Sequence, residues 1–192
     1  RQAEGLSISR AVDMWNEQSA SGTDPLTGPA QISLVAASAG TIDSVRIQWI
    51  SACLAFNESQ AEQILNQAFA MYPLEAVCLE ILPRGLREIG QRWYDNEATV
   101  QQEHFASALA QRRLDALIAA VPPPTRPQTI LIGCTPGELH VFSSMLLTLL
   151  LRRRGLPVIY LGADVPLLQF DETIQQVKPV LVILSTQQLH TA

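Results

Sequence analysis

Four prolines in six residues, Pro122-Pro-Pro-Thr-Arg-Pro127, divide this sequence more sharply than any other feature. Proline offers no backbone donor and holds the chain extended, so neither a helix nor a ladder-paired strand runs through such a segment. A domain boundary is expected there. The patterning changes across it. Before Pro122 the apolar residues recur at helical spacing. After Pro127 short apolar runs alternate with amphipathic stretches.

The first part reads as helix. Ile8, Ala11, Val12 and Trp15 form an i, i+3, i+4, i+7 stripe with Ser7 as N-cap. The Ser-, Gly-, Thr- and Pro-rich stretch from Ser21 to Pro29 follows as a linker, and residues 30–40 show no clear period. Four helices are then expected. They cover 42–55 (Val45, Trp49, Ile50), a segment capped by Asn57 (Ala61, Ile64, Leu65, Ala68), 73–94, and 98–121 (Phe105, Leu109, Leu117). Pro83 lies inside the third, which predicts a kink near residue 80. Residues 41–121 therefore read as a four-helix bundle.

The second part alternates. Strands are expected over 129–134, 158–161 and 179–184, with helices over 141–154, closed by Gly155, and over 167–177. Continuously apolar strands between helices predict a parallel sheet buried on both faces, Rossmann-like (flavodoxin-like), over 128–192. Doubly wound sheets usually have more than three strands, so this one is expected to be incomplete at its C-terminal end. The first residue is Arg1 rather than Met, which reads as a fragment of a longer chain.

Composition excludes several classes. With 18 acidic against 13 basic side chains the net charge is −5, so no broad basic surface for nucleic acid is expected in these residues. Aromatics make up only 6%, too few for base-stacking platforms. The three cysteines, Cys53, Cys78 and Cys134, form no C-x-x-C pair; a disulfide framework or cysteine zinc site is not expected, and a reducing cytoplasm fits. No apolar run is long enough for a bilayer, and no signal peptide opens the chain.

In an open parallel sheet, ligands bind beyond the carboxyl ends of the strands. Neither a dinucleotide fingerprint nor a phosphate-binding loop follows the first strand. Gly137-Glu138-Leu139-His140 stands there instead. A carboxylate two residues before a histidine can hold one ring nitrogen and leave the other for a metal. Equally, His140 can cap the following helix while Glu138 favours its positive end. A single histidine cannot hold zinc, so a metal reading needs a macrocycle, a haem or a corrin.

Further residues carry a resemblance. Glu138-x-His140-x-x-Ser143 is similar to the D-x-H-x-x-G of cobalamin-binding domains, and Ser185-Thr186-Gln187 to their S-x-L. Trp93, nine residues, then Glu103-His104 resembles the W-x9-E-H of CarH-type cobalamin photoreceptors, a branch of the MerR-like transcriptional regulators. The likeness runs from about residue 42 to the end and includes Pro83, residues 90–108 and Leu161-Gly-Ala-Asp164. The helix near residues 5–17 resembles the last helix of a MerR-type DNA-binding module, which assigns residues 1–26 to a remnant of that module and its linker.

The resemblance implies a light-responsive sensor of adenosylcobalamin that controls oligomerisation and DNA binding through an N-terminal module, without enzymatic turnover. It implies that His140 ligates cobalt from below, oriented by Glu138. It places Ser185 in the slot for the displaced nucleotide tail, with Gly162 and Asp164 nearby, and Ser143 where Gly is usual. Trp93, Val100, Glu103 and His104 are implied to cover the upper face, Trp93 and Val100 packing on the adenosyl group. Tyr94 stands where CarH-type photoreceptors carry a cobalt-capturing His, and a phenol is a poor neutral ligand for cobalt. Two other readings are carried: a corrinoid methyl carrier of a methyltransferase system, and a cofactor-free interaction module.

Overall fold

The computed structural model describes residues 41–187. The helix expected near residues 5–17, the linker over 21–29 and His190 lie outside them.

The helical part follows its apolar periodicity. Helix α1 (Ile42–Leu54) starts at Thr41, whose side chain accepts from the Ser44 N–H, and buries Val45, Trp49, Ile50, Ala52 and Cys53. Helix α2 (Glu58–Met71) starts at Asn57, which accepts from the Gln60 N–H, and buries Ala61, Ile64, Leu65 and Ala68. Both caps satisfy donors that the first turn leaves free.

A short helix α3 (Leu74–Ala76) then runs into a π-helical turn (Val77–Ile81) and on into α4 (Leu82–Tyr94). The Leu82 N–H donates to the Val77 carbonyl, five residues back. Pro83 is the cause: it brings no N–H, and its ring presses on the preceding turn, which widens to make room. The irregularity expected near residue 80 thus takes the form of a π turn. Helix α5 (Val100–Ala119) opens on a reciprocal capping box between Thr99 and Gln102. Gln102 also donates to the Leu54 carbonyl at 2.6 Å, joining the start of α5 to the end of α1.

Close approach fixes α1 against α4. A Cβ on Gly85 would stand 2.7 Å from Cζ3 of the fully buried Trp49. Only glycine lets the indole come so close to that backbone.

Beyond the prolines come β1 (Ile130–Cys134), α6 (Phe142–Arg153), β2 (Val158–Tyr160), α7 (Phe170–Val177) and β3 (Leu181–Ser185). The sheet is parallel with order β2-β1-β3; Ile130 pairs with Val158 on one side and Leu181 on the other. Burial on both faces, expected for all three strands, holds for β1 alone, which is buried along its whole length. Ile159 on β2 and Leu181 on β3 are exposed. The edge strands have one neighbour each, and α7 buries none of its residues.

The two parts share packing despite the prolines. Met145 and Leu149 of α6 lie in the same buried cluster as Trp49, Leu65 and Leu114. Arg153 of α6 reaches Glu75 at 3.0 Å. The Glu75 carboxyl is held below its ordinary range by a backbone hydrogen bond at its own residue and then by Arg153. The spacer folds back, with the Thr125 and Arg126 N–H groups both donating to the Gly155 carbonyl. Among the described residues no helix is long and apolar enough to cross a membrane.

Candidate functional site

The carboxyl end of β1 leads into a tight turn at Pro136-Gly137, with the Glu138 N–H donating to the Thr135 carbonyl at 3.0 Å. Gly137 takes φ +79, a conformation that favours glycine. Its N–H donates to Oδ1 of Asp164 at 2.7 Å. The Asp164 N–H returns a bond to the Glu138 carbonyl at 3.0 Å. The loop after β2 therefore braces the loop after β1 from one side.

Glu138 is buried, 5% exposed. A buried carboxylate is costly unless hydrogen bonds surround it. Here Oε1 accepts from the His140 N–H at 2.8 Å and faces His140 Nδ1 at 2.6 Å. Oε2 accepts from the Gln187 N–H at 2.6 Å. The carboxylate thus ties the turn after β1 to the chain leaving β3 and fixes the plane of the imidazole. With Nδ1 engaged, Nε2 is the ring nitrogen left for another partner. Helix α6 has no side-chain cap bond, so the capping role open to His140 on sequence grounds is not the one it takes.

His140 lines a cavity of about 380 Å³ whose other walls come from the helical part. Pro83, Leu86 and Arg87 face it from α4, and Glu103, Ser107 and Gln111 from α5; Val141, Phe142, Ser143 and Gln187 line it beside His140. Glu103 is itself positioned: Ser107 Oγ donates to its Oε1 at 2.8 Å, and His104 Nδ1 lies 3.1 Å from its Oε2. Val100, Glu103, Ser107 and Gln111 recur every three or four residues and so share one face of α5.

The expected residues separate into groups. Glu103, His140 and Ser143 meet in this cavity, with Glu138 directly behind His140. Ser185 lines a second cavity of about 340 Å³ at the carboxyl ends of β1 and β3, together with Ile132, Ile183 and Leu184; Ser143 lines that one too. Gly162 and Asp164 act at one remove. The Gly162 carbonyl accepts from the Cys134 N–H, and Asp164 braces the turn. His104 does not line the cavity; it is largely exposed and sits against Glu103. Trp93 and Val100 are outside the lining as well, 49% and 37% exposed, at the neighbouring ends of α4 and α5. Spacing carries the cavity face of α4 towards Trp93, through Pro83, Leu86 and Gly90, and a Cβ on Gly90 would meet nothing within 4 Å. Tyr94 is exposed.

Arg87, Ser107 and Gln111 were not legible as site residues in the sequence. Their helical spacing from Pro83 and Glu103 was the available signal. The donor set suits one class of metal. Among the described residues no group of three or more His, Cys, Asp or Glu side chains could hold an ion. One oriented imidazole facing a cavity fits a metal that a macrocycle already carries.

Residues 47–118 match the family described as the B12 binding domain. The chain is 29% identical over 184 residues to the HTH-type transcriptional repressor CarA of Myxococcus xanthus, covering 96% of this chain and 57% of that one. It is 30% identical over 141 residues to the repressor CarH of the same organism, covering 73% and 47%. Residues 47–118 thus resemble a B12 binding domain, and the chain is similar over most of its length to CarA and CarH. It spans about half the length of these two relatives. It is also 26% identical over 137 residues to the trimethylamine corrinoid protein of Methanosarcina barkeri, covering 68% of this chain and 62% of that one. In fold it matches the monomethylamine corrinoid protein of that organism, with a TM-score of 0.62 at 17% identity, over 74% of this chain and 68% of the other. The helical part followed by a parallel, Rossmann-like sheet is therefore a fold shared with that protein.

Proposed function

We propose that this chain is the adenosylcobalamin-binding sensory module of a MerR-like transcriptional regulator, responsive to light and coupled to DNA binding through a module elsewhere in the protein. The observation that carries the reading is the cavity between the two parts, with Glu103 on one wall and the Glu138-held imidazole of His140 on the other. When bound, the corrinoid would supply a cobalt ion able to accept a protein nitrogen and a light-sensitive cobalt–carbon bond.

The chain's own residues then have separate tasks. His140 Nε2 would hold the cobalt ion, and Glu138 would keep that ring oriented and raise its basicity. Glu103, braced by Ser107, accepts hydrogen bonds from the ribose or base of the adenosyl group. Trp93 and Val100 pack on its faces. Ser185 lines the slot for the nucleotide tail. A ligand that contacts both parts favours the arrangement in which both reach it, and this biases the population towards one state. In that state the protein assembles into a homo-oligomer competent for DNA.

The test is an absorption spectrum of the protein mixed with adenosylcobalamin, in the dark and after green light, beside His140→Ala. The expected result is a spectrum of the histidine-ligated cofactor that the variant lacks. The same spectrum in the variant contradicts the assignment, and a protein that takes up no colour favours a cofactor-free interaction module. Elution on size exclusion is expected to change on illumination; identical profiles contradict switching by assembly. Similarity to the trimethylamine corrinoid protein supports a second reading, a methyl carrier. That reading predicts tighter binding of methylcobalamin than of adenosylcobalamin, whereas a lid at Trp93 and Glu103 predicts the reverse.

A further inference from the structure

Two cavities open at the carboxyl end of the sheet, and among the described residues Ser143 is the one that lines both. Its Oγ accepts from Nε2 of Gln187 at 3.2 Å. Gln187 is anchored at its other end, since its backbone N–H donates to the buried Glu138. Glu138 in turn holds His140. The four residues form a hydrogen-bonded belt, His140–Glu138–Gln187–Ser143, whose last member is the residue the two cavities share. Three of its contacts involve the buried carboxylate; the fourth, between two exposed side chains, is the weakest and the easiest to open.

We infer that the Ser143–Gln187 hydrogen bond is a gate between the two cavities, and that it selects against corrinoids whose nucleotide tail must pass into the smaller one. This rests on the cofactor reading above and adds to it a determinant of which corrinoid is held. A tail threading past Ser143 must break that bond. A corrinoid without the nucleotide leaves it intact and still meets His140.

The experiment measures equilibrium binding of adenosylcobalamin and of adenosylcobinamide, which lacks the nucleotide, by absorption in the dark. The proteins are the wild type, Ser143→Gly and Gln187→Ala. Losing one neutral side-chain hydrogen bond corresponds to about threefold to tenfold in affinity. Both variants are expected to raise the affinity for adenosylcobalamin relative to that for adenosylcobinamide by that factor. Two variants that open the same bond from opposite sides separate the gate from any local effect of either substitution. If the wild type binds both corrinoids and neither variant alters their ratio, the gate is overturned while the cofactor reading stands. If none of the three proteins binds either corrinoid, the cofactor reading fails and the gate with it.

Discussion

The two walls of the main cavity are held by opposite means. The wall after β1 is polar and braced at every point: Gly137 on Asp164, Glu138 on His140 and Gln187, Ser143 on Gln187. The buried cluster beneath it is small, built on Ile130, Ile132 and Val158. The opposite wall stands on a deep apolar core running from Val45 to Leu114, yet at the ends of α4 and α5 it leaves Trp93, Tyr94 and Val100 open to solvent. One wall is preorganised, with the His140 ring already held in one orientation by Glu138. The other gains by covering apolar surface and is suited to close on a guest.

The sharpest way to break this contrast is Glu138→Ala. It strips acceptors from the backbone N–H groups of His140 and Gln187, and is expected to cost about 2–4 kcal/mol of unfolding free energy. His140→Ala, at an exposed ring, is expected to cost less than about 1 kcal/mol. Urea midpoints of the two variants check this; equal losses would mean the polar wall is not held through its carboxylate.

The apolar side is probed by alkali. Burial pushes the thiols of Cys53 and Cys78 up from 9.0 to about 12, with Glu62 and Glu75 respectively adding to the rise. A raised folded value means stability that is full below the unfolded value and is lost as pH climbs from there towards the folded one. Unfolding free energy is thus expected to fall above pH 9, with each thiol approaching about 1.4 kcal/mol per pH unit. Burial raises Tyr160 as well, and it acts in the same direction at higher pH. Urea titrations across that range, repeated on Cys53→Ala with Cys78→Ala, should show most of the slope removed; an unchanged slope contradicts the assignment to these two thiols.

The smallest effect on stability is expected for Trp93→Ala, within about 0.5 kcal/mol, because the indole is half in water. Its effect belongs to binding. The variant should weaken adenosylcobalamin by about threefold to tenfold and leave methylcobalamin unchanged. Equal weakening of both would remove Trp93 from the adenosyl face.

What the sequence disclosed follows this same division. Helical periodicity gave α1, α2 and α5, because each buries one continuous stripe. Apolar runs gave the strands in their order, because parallel strands carry their pattern locally. The exposed faces of β2 and β3 were not legible, since burial at a sheet edge depends on what packs there rather than on the strand's own residues. At the site, Glu138 and His140 were legible together because they are two residues apart. The clamp from Gln187 lies 49 positions away in sequence and depends on β3 lying beside β1, so no local pattern carries it. The π turn was legible only as a disturbance, through Pro83.

The central claim, that His140 offers Nε2 to a macrocycle-held cobalt, has one direct measurement. Reduced cobalamin bound to the protein gives an electron paramagnetic resonance spectrum split by the nucleus of its lower nitrogen ligand. Protein labelled in its histidine rings with the heavy nitrogen isotope should convert that splitting from a triplet to a doublet, and His140→Ala should abolish the conversion. A triplet that survives labelling would assign the lower ligand to the cofactor's own base and contradict the account.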